Sequence, residues 1–354
     1  MLRLEPRIRP SALVELATPA IAVLATILAG LVLFAALGKD PVEAVRIIFL
    51  DPLFDPYSRS EILIKSCPLI LIALGLSFGF RAGIWNIGAE GQYVMGALAG
   101  GTVALAFHGA GGPWLLPLMA LAGAIGGCAY ALIPAFLKVR FNANEILVSL
   151  MLVYVAGLFL VAMVSGPLRN PQGFAFPESR IFDEAARLPT FGDTRVHIGI
   201  AVALLAVFVA HVILHRHVFG YAVRLSGAAP RAAAFAGIDR NRMIYACLGL
   251  SGALAGLAGL FEVAGPIGQL QTSLPVGYGF TAIIVAFLGR LSPIGILFAG
   301  LVMGLTYIGG ETAQFLLRLP AAAISVFQGM LLFFLLAFDL LTRYRITRTR
   351  SGPA

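Results

Sequence analysis

The chain has 354 residues, of which 59% are hydrophobic and only 12% charged, with a mean hydropathy of +0.93. A soluble domain carries about 25% charged residues, so this composition excludes a soluble enzyme, a nucleic-acid-binding domain and a disordered chain, and fits an all-α polytopic membrane protein. The formal net charge of +8 reads as arginine in cytoplasmic loops, because no Lys/Arg-rich run with interleaved aromatics occurs; nucleic acid is not an expected partner.

A membrane-spanning helix needs about 20 apolar residues. Ten apolar stretches are expected as transmembrane helices: 15–37, 62–80, 84–107, 114–136, 146–165, 198–214, 243–262, 278–289, 292–310 and 321–341. The first follows a basic N-terminal stretch but lacks a small-x-small cleavage site, so it reads as an uncleaved span. The third is interrupted by polar residues. The eighth is too short to cross alone and reads as a half-helix. Segments 38–61 and 166–197 are long outer connections. The second carries Pro167, Pro171, Pro177 and Pro189 and reads as an extended extracytoplasmic loop with one short helix. One inner connection, 215–242, is long.

Orientation follows from charge asymmetry. With the N-terminus inside, the inner segments hold Arg3, Arg7, Arg9, Arg81, Lys138, Arg140, Arg216, Arg224, Arg231, Arg240, Arg242, Arg290, Arg343, Arg345, Arg348 and Arg350, against Lys39, Arg46, Arg59, Arg169, Arg180, Arg187, Arg195 and Arg318 in the outer ones. The outer segments hold Asp40, Glu43, Asp51, Asp55, Glu61, Glu178, Asp183, Glu184, Asp193 and Glu311. Both signs place both termini in the cytoplasm.

Three polar interruptions stand out. The first contains Trp85, Asn86, Glu90 and Gln92, with Gly83, Gly88 and Gly91 permitting close helix approach or a break. Polar groups at membrane depth face a cavity or a partner helix, so these residues either line a path or tie helices together. The second runs from Arg224 to Arg242: Pro230 starts a helix of about two turns and Gly237 stops it. A helix that short needs a surface to lean on, its own bundle or another protein. The third holds Glu262 and Gln269, then Phe280 in the short eighth span. Gly79-Phe80 ahead of span three echoes Gly279-Phe280. Broken helices paired in two halves point to a central pathway and to two inverted halves.

Other chemistry is missing. The sequence contains no GxxxxGK[ST], no HExxH and no GxSxG. Cys67, Cys128 and Cys247 sit in apolar stretches without a CxxC and read as buried thiols. His211, His215 and His217 cluster at one end of span six and read as interfacial histidines, so no metal site is expected. Glu90, Glu262 and Asp339 are the acids nearest the bilayer interior; they form no proton relay, which weighs against an ion-coupled secondary transporter. The missing catalytic groups weigh against a membrane-embedded enzyme or scaffold.

The string Trp85-Asn86-Ile87-Gly88-Ala89-Glu90-Gly91-Gln92 resembles the signature of ABC-importer permeases of the ribose and branched-chain amino-acid type. Gly227 to Ile238 resembles that family's coupling-helix region, with Ala229 in place of the usual polar residue before Pro230. Gly277 to Arg290 is also typical. The resemblance spans about residues 12–342, and the prolines of the 166–197 loop place it nearest the nucleoside (simple-sugar) branch.

That resemblance implies a permease subunit in the bacterial inner membrane, not an enzyme, for nucleosides or alternatively simple sugars. It implies a substrate path near Trp85, Asn86, Glu90, Gln92, Glu262, Gln269 and Phe280. It implies docking of ATPase subunits at Pro230, Arg231, Ala233, Phe235 and Gly237. The implied partners are those ABC ATPases, which would bind ATP and magnesium, a second permease (homologous or identical), and an extracytoplasmic substrate-binding protein or lipoprotein. This chain itself is expected to bind no cofactor.

Overall fold

The computed structural model describes residues 2–6, 12–173, 176–192 and 194–348. Arg7, Arg9, Asp193 and Arg350, counted above among the loop charges, lie outside the described residues. The single domain expected over 1–354 divides into two compact units, Met1–Arg59 with Leu305–Ala354, and Ser60–Gly304.

In chain order the helices are α1 (Ala12–Ala36), α2 (Pro41–Phe49), α3 (Asp51–Phe54), α4 (Pro56–Arg81), α5 (Ala89–Ala106), α6 (Leu115–Phe141), α7 (Glu145–Ser165), α8 (Gly199–Arg216), α9 (Val218–Ala228), α10 (Pro230–Phe235), α11 (Arg240–Glu262), α12 (Tyr278–Leu288), α13 (Pro293–Leu317) and α14 (Ala321–Arg343). Every stretch expected as a span carries a helix. Among the described residues six helices are long and apolar enough to cross a membrane: α4, α6, α7, α8, α11 with the turn that continues it, and α13. The other expected spans coincide with α1, α5, α12 and α14.

In the first unit, Phe34 stacks on Phe327 at 5.9 Å, and Phe49 meets Phe327 edge-on. Ala44, Ile47 and Ile48 of α2 complete this core with Ala313, Leu319 and Ile324. The connection 38–61 is therefore largely helical. Asp40 starts α2, accepting from the backbone N–H groups of Val42 and Glu43, with Pro41 in the first turn; both are strong helix-start chemistry. Outside the helices, β1 (Leu2–Pro6) pairs antiparallel with β2 (Tyr344–Arg348).

In the second unit, α5, α6 and α11 approach through glycine. Gly96, Gly127 and Gly256 leave no room for side chains between the three backbones, the close packing that small-xxx-small spacing serves in lipid. α4 packs antiparallel on α11, with Gly75 against Ser251 and the Cys247 thiol near the Phe78 carbonyl.

The helix expected from residue 84 begins only at Ala89. Gly83, at φ +72°, follows the end of α4, and residues 84–88 are irregular. The physical reason is local: Asn86 Oδ1 accepts from Gly88 N at 3.1 Å, a turn that competes with helix.

The expected outer loop is extended, with one 3-10 turn at Glu184–Ala186. It lies over the end of α11. Ser179 N donates to Leu270 O, Phe182 N to Gly268 O and Leu188 N to Ala264 O, at 2.8–2.9 Å. His197 closes the segment, buried, with Nδ1 accepting from Gly199 N at 3.1 Å and its ring against Gly265. Burial pushes the His197 pKa down to about 4. An unfolded histidine titrates near 6.5, so between these values the opened segment binds more protons than the closed one. Stability contributed here is full above about pH 6.5 and is lost as pH falls towards 4. Hydrogen-exchange protection across residues 188–199 is expected to drop on the order of tenfold from pH 7 to pH 5. A His197→Gln variant should show no such drop.

Candidate functional site

The first polar stretch is a closed hydrogen-bonded knot. Asn86 Nδ2 donates to Gln92 Oε1 at 2.8 Å, and Gln92 Nε2 donates back to Asn86 Oδ1 at 3.0 Å. Asn86 Nδ2 also donates to Ser251 Oγ of α11 at 2.9 Å. Ile87 N donates to Ser149 Oγ of α7 at 3.3 Å. Asn86 is 1% exposed and Gln92 2%. Unpaired, these amides would be costly at such burial; the knot satisfies them while fixing the start of α5 to α7 and α11.

Glu90 completes the junction. Gly277 N and Gly279 N donate to its two carboxylate oxygens at 2.8 and 2.6 Å. Any Cβ at Gly279 would collide with the Glu90 backbone, so the start of α12 lies directly on the start of α5. Helix N-termini carry partial positive charge and unpaired N–H groups. One buried carboxylate here sits in the first turn of α5 and accepts from the first N–H groups around α12. Asn86, Glu90 and Gln92 thus come together, with their polar atoms engaged by protein groups.

Trp85 and Phe280 differ: both present open surface, at 41% and 40% exposure. Trp85 forms an aromatic trio with Phe80 (4.9 Å) and Phe287 (6.1 Å), and Phe80 stacks on Phe287 at 5.3 Å. Glu262 belongs to another cluster. Tyr278 Oη donates to its carboxylate at 3.5 Å, Lys65 Nζ lies 5.7 Å over the Tyr278 ring, and Tyr93 meets that ring edge-on. Gln269 is not brought to the junction; its Nε2 donates to Glu178 Oε2 of the 166–197 segment at 3.0 Å.

Composition and spacing did not reveal the partners Ser149, Ser251 and Lys65, or the backbone of 277–279. A serine inside an apolar helix was the available signal, since it must find a partner there.

The second site is α10. Pro230 stands in its first turn, and Gly237 at φ +78° closes it. Phe235 is 94% exposed and touches little of its own chain. Pro230, Arg231 and Gly237 share that open surface. Ala233 does not: at 4% exposure it turns inward, above a cavity of about 400 Å³ lined also by Gly83, Lys138, Glu145, Gly227 and Met243. The expectation that Ala233 lies on the docking face is corrected accordingly; residue 233 falls on the bundle side of the single turn. Lys138 and Glu145 pair across this cavity at 3.0 Å.

Among the described residues, no group of three or more His, Cys, Asp or Glu side chains is placed to hold a metal. His211 and His215 stack at 4.3 Å, and His217 caps α9 through Phe219 N.

Comparison with known proteins fixes the family. The model of the branched-chain amino acid transport system permease component matches residues 58–336. The glucose ABC transporter permease protein TsgB13 of Haloferax volcanii is 36% identical, over 98% of this chain and 93% of its own length. The guanosine ABC transporter permease protein NupP of Bacillus subtilis is 29% identical, over 90% and 92%. NupQ, another guanosine permease protein of that organism, is 31% identical over 68% and 78%. No solved structure matches the chain. The family model over residues 58–336, this similarity over nearly the whole chain and the apolar helices converge: the chain belongs to the branched-chain amino acid transport permease family, and is a multi-pass inner-membrane permease of an ABC transporter.

Proposed function

We propose that this permease is the translocation subunit of an ATP-driven importer of nucleosides. The observation that carries the importer reading is α10, a six-residue helix whose largest side chain, Phe235, is 94% exposed. An exposed ring on so short a helix suits a groove on another protein. The chain has no phosphate-binding loop of its own, so ATP and magnesium belong to a separate ATPase chain docked there. Similarity to two guanosine permease proteins of one organism supports a second, homologous permease in the assembly. An extracytoplasmic binding protein delivers substrate to the outer loop.

The nucleoside reading rests on the NupP similarity over 90% of this chain. Trp85, exposed beside the half-buried Phe80 and Phe287, offers a flat surface for a planar base. The glucose permease, at 36% identity, favours a simple sugar as the second reading.

Two inverted halves are supported by the repeated order of long helix, irregular segment and short helix in α4–α5 and α11–α12, whose long helices run antiparallel. A common side for both termini is supported by the pairing of β1 with β2, and the cytoplasm as that side by the charge asymmetry of the sequence.

The test is reconstitution with the neighbouring subunits in liposomes and uptake of labelled guanosine and glucose. Guanosine uptake that requires ATP and the ATPase chain is the expected result. Glucose uptake alone would assign the sugar reading. Uptake by this chain alone on a proton or sodium gradient would overturn the importer.

A further inference from the structure

We infer that residues Arg81 to Glu90 form a strap that holds both ends of α12 and transmits displacement of the α9–α10 segment to it, with Arg81 as the positioning residue. The inference rests on the importer reading above and deepens it.

The two ends of the strap make different bonds to one short helix. At its far end, Glu90 accepts from Gly277 N and Gly279 N before and within the first turn of α12. At its near end, Arg81 Nε donates to Leu291 O at 3.0 Å, just beyond the last turn. Near that end too, Trp85 and the preceding Phe80 lie against Phe287 in the last turn of α12. A ten-residue segment therefore holds an eleven-residue helix at both ends.

The grip at Leu291 falls on an unusual turn. Arg290 and Leu291 both have left-handed backbone, at φ +54° and +56°. Successive left-handed residues with side chains are disfavoured and persist only where the surroundings hold them. Leu291 N donates back to Ala286 O at 2.7 Å, and the Arg81 guanidinium fixes the Leu291 carbonyl. Removing that donor frees the turn, and with it the lower end of α12.

The other side of Arg81 meets the docking segment. Gly227, in the last turn of α9, lies so close to the Arg81 carbonyl that any Cβ there would collide with it. Only Ala228 and Ala229 separate Gly227 from α10. A push on α10 thus reaches the Arg81 backbone through rigid contact, and reaches α12 through the Arg81 side chain. Small displacements pass effectively through packed backbone because it does not deform continuously.

The test uses the assembled importer in liposomes, reading substrate uptake and ATP hydrolysis together. Arg81→Met keeps the length of the side chain and removes the donor. It is expected to lower uptake per ATP hydrolysed at least about tenfold with ATPase rate and assembly within twofold of wild type. Arg81→Lys, which keeps a charged donor, should recover part of the coupling. Gly227→Ala should uncouple in the same direction by displacing the Arg81 carbonyl. Wild-type uptake per ATP in Arg81→Met overturns the inference. So does a parallel fall of uptake, ATPase and melting temperature, which would show a purely structural bond. A wild-type assembly with no ATP-driven uptake would overturn the importer reading and this inference together; a coupled wild type with an indifferent Arg81→Met overturns this inference alone.

Discussion

Gly256→Val is expected to abolish assembly of the second unit. A Cβ at Gly256 would collide with the Gly123 carbonyl and lie 2.9 Å from the Gly127 backbone, and Gly96 closes on it from α5. These neighbours are main chain, which cannot rotate away as a side chain does. Overpacking a core typically costs 1–3 kcal/mol; backbone collision on two sides puts this variant at about 3 kcal/mol or more. Losing the α5–α6–α11 contact also loosens the knot at Asn86 and Ser251, because both depend on the spacing of α5 from α11. The measurement is melting temperature and monodispersity in detergent. Gly157→Ala is the control: a Cβ there meets nothing within 4 Å, and alanine favours helix over glycine by about 1 kcal/mol. Equal melting of Gly256→Val and wild type would contradict the packing.

The helices were legible because a span must be apolar over its whole length, and that is a local property. The α10 turn was legible for the same reason: Pro230 and Gly237 act on the residues beside them. What stayed hidden was non-local. Glu90 announced itself as an acid in an apolar region, yet its partners are backbone N–H groups nearly two hundred residues away, which no spacing encodes. Asn86 makes a turn with Gly88 and an amide pair with Gln92, a partner six residues on, and so holds the start of the helix back to Ala89. Ala233 shows the same limit at the smallest scale. In a six-residue helix every face is nearly equivalent in sequence, and the bundle alone decides which side is covered.

Phe235→Ala is expected to lower ATP-driven uptake about thirtyfold or more while leaving insertion and melting temperature unchanged. The ring is 94% exposed, so its removal costs the isolated permease almost no packing. Against a partner the balance reverses. Truncating an aromatic anchor in an interface commonly costs 2 kcal/mol or more, and each 1.4 kcal/mol is about tenfold in affinity. The defect should therefore appear as weaker ATPase binding, and excess ATPase subunit should partly restore uptake. Ala233→Glu distinguishes docking from folding. Its carboxylate would enter the cavity beside Glu145 and Lys138, so that variant should lower stability first and coupling only in consequence. Contact is reported directly by Ala232→Cys in a Cys128→Ser background, since residue 232 is exposed, Cys67 and Cys247 are buried and Cys128 is half-buried. A crosslink to the ATPase that forms in wild-type background and disappears with Phe235→Ala places the ring in the interface. If Phe235→Ala binds the ATPase and transports normally, α10 is not the seat. The seat then moves to the α6–α7 turn, where Lys138 and Glu145 face the same cavity from the other side.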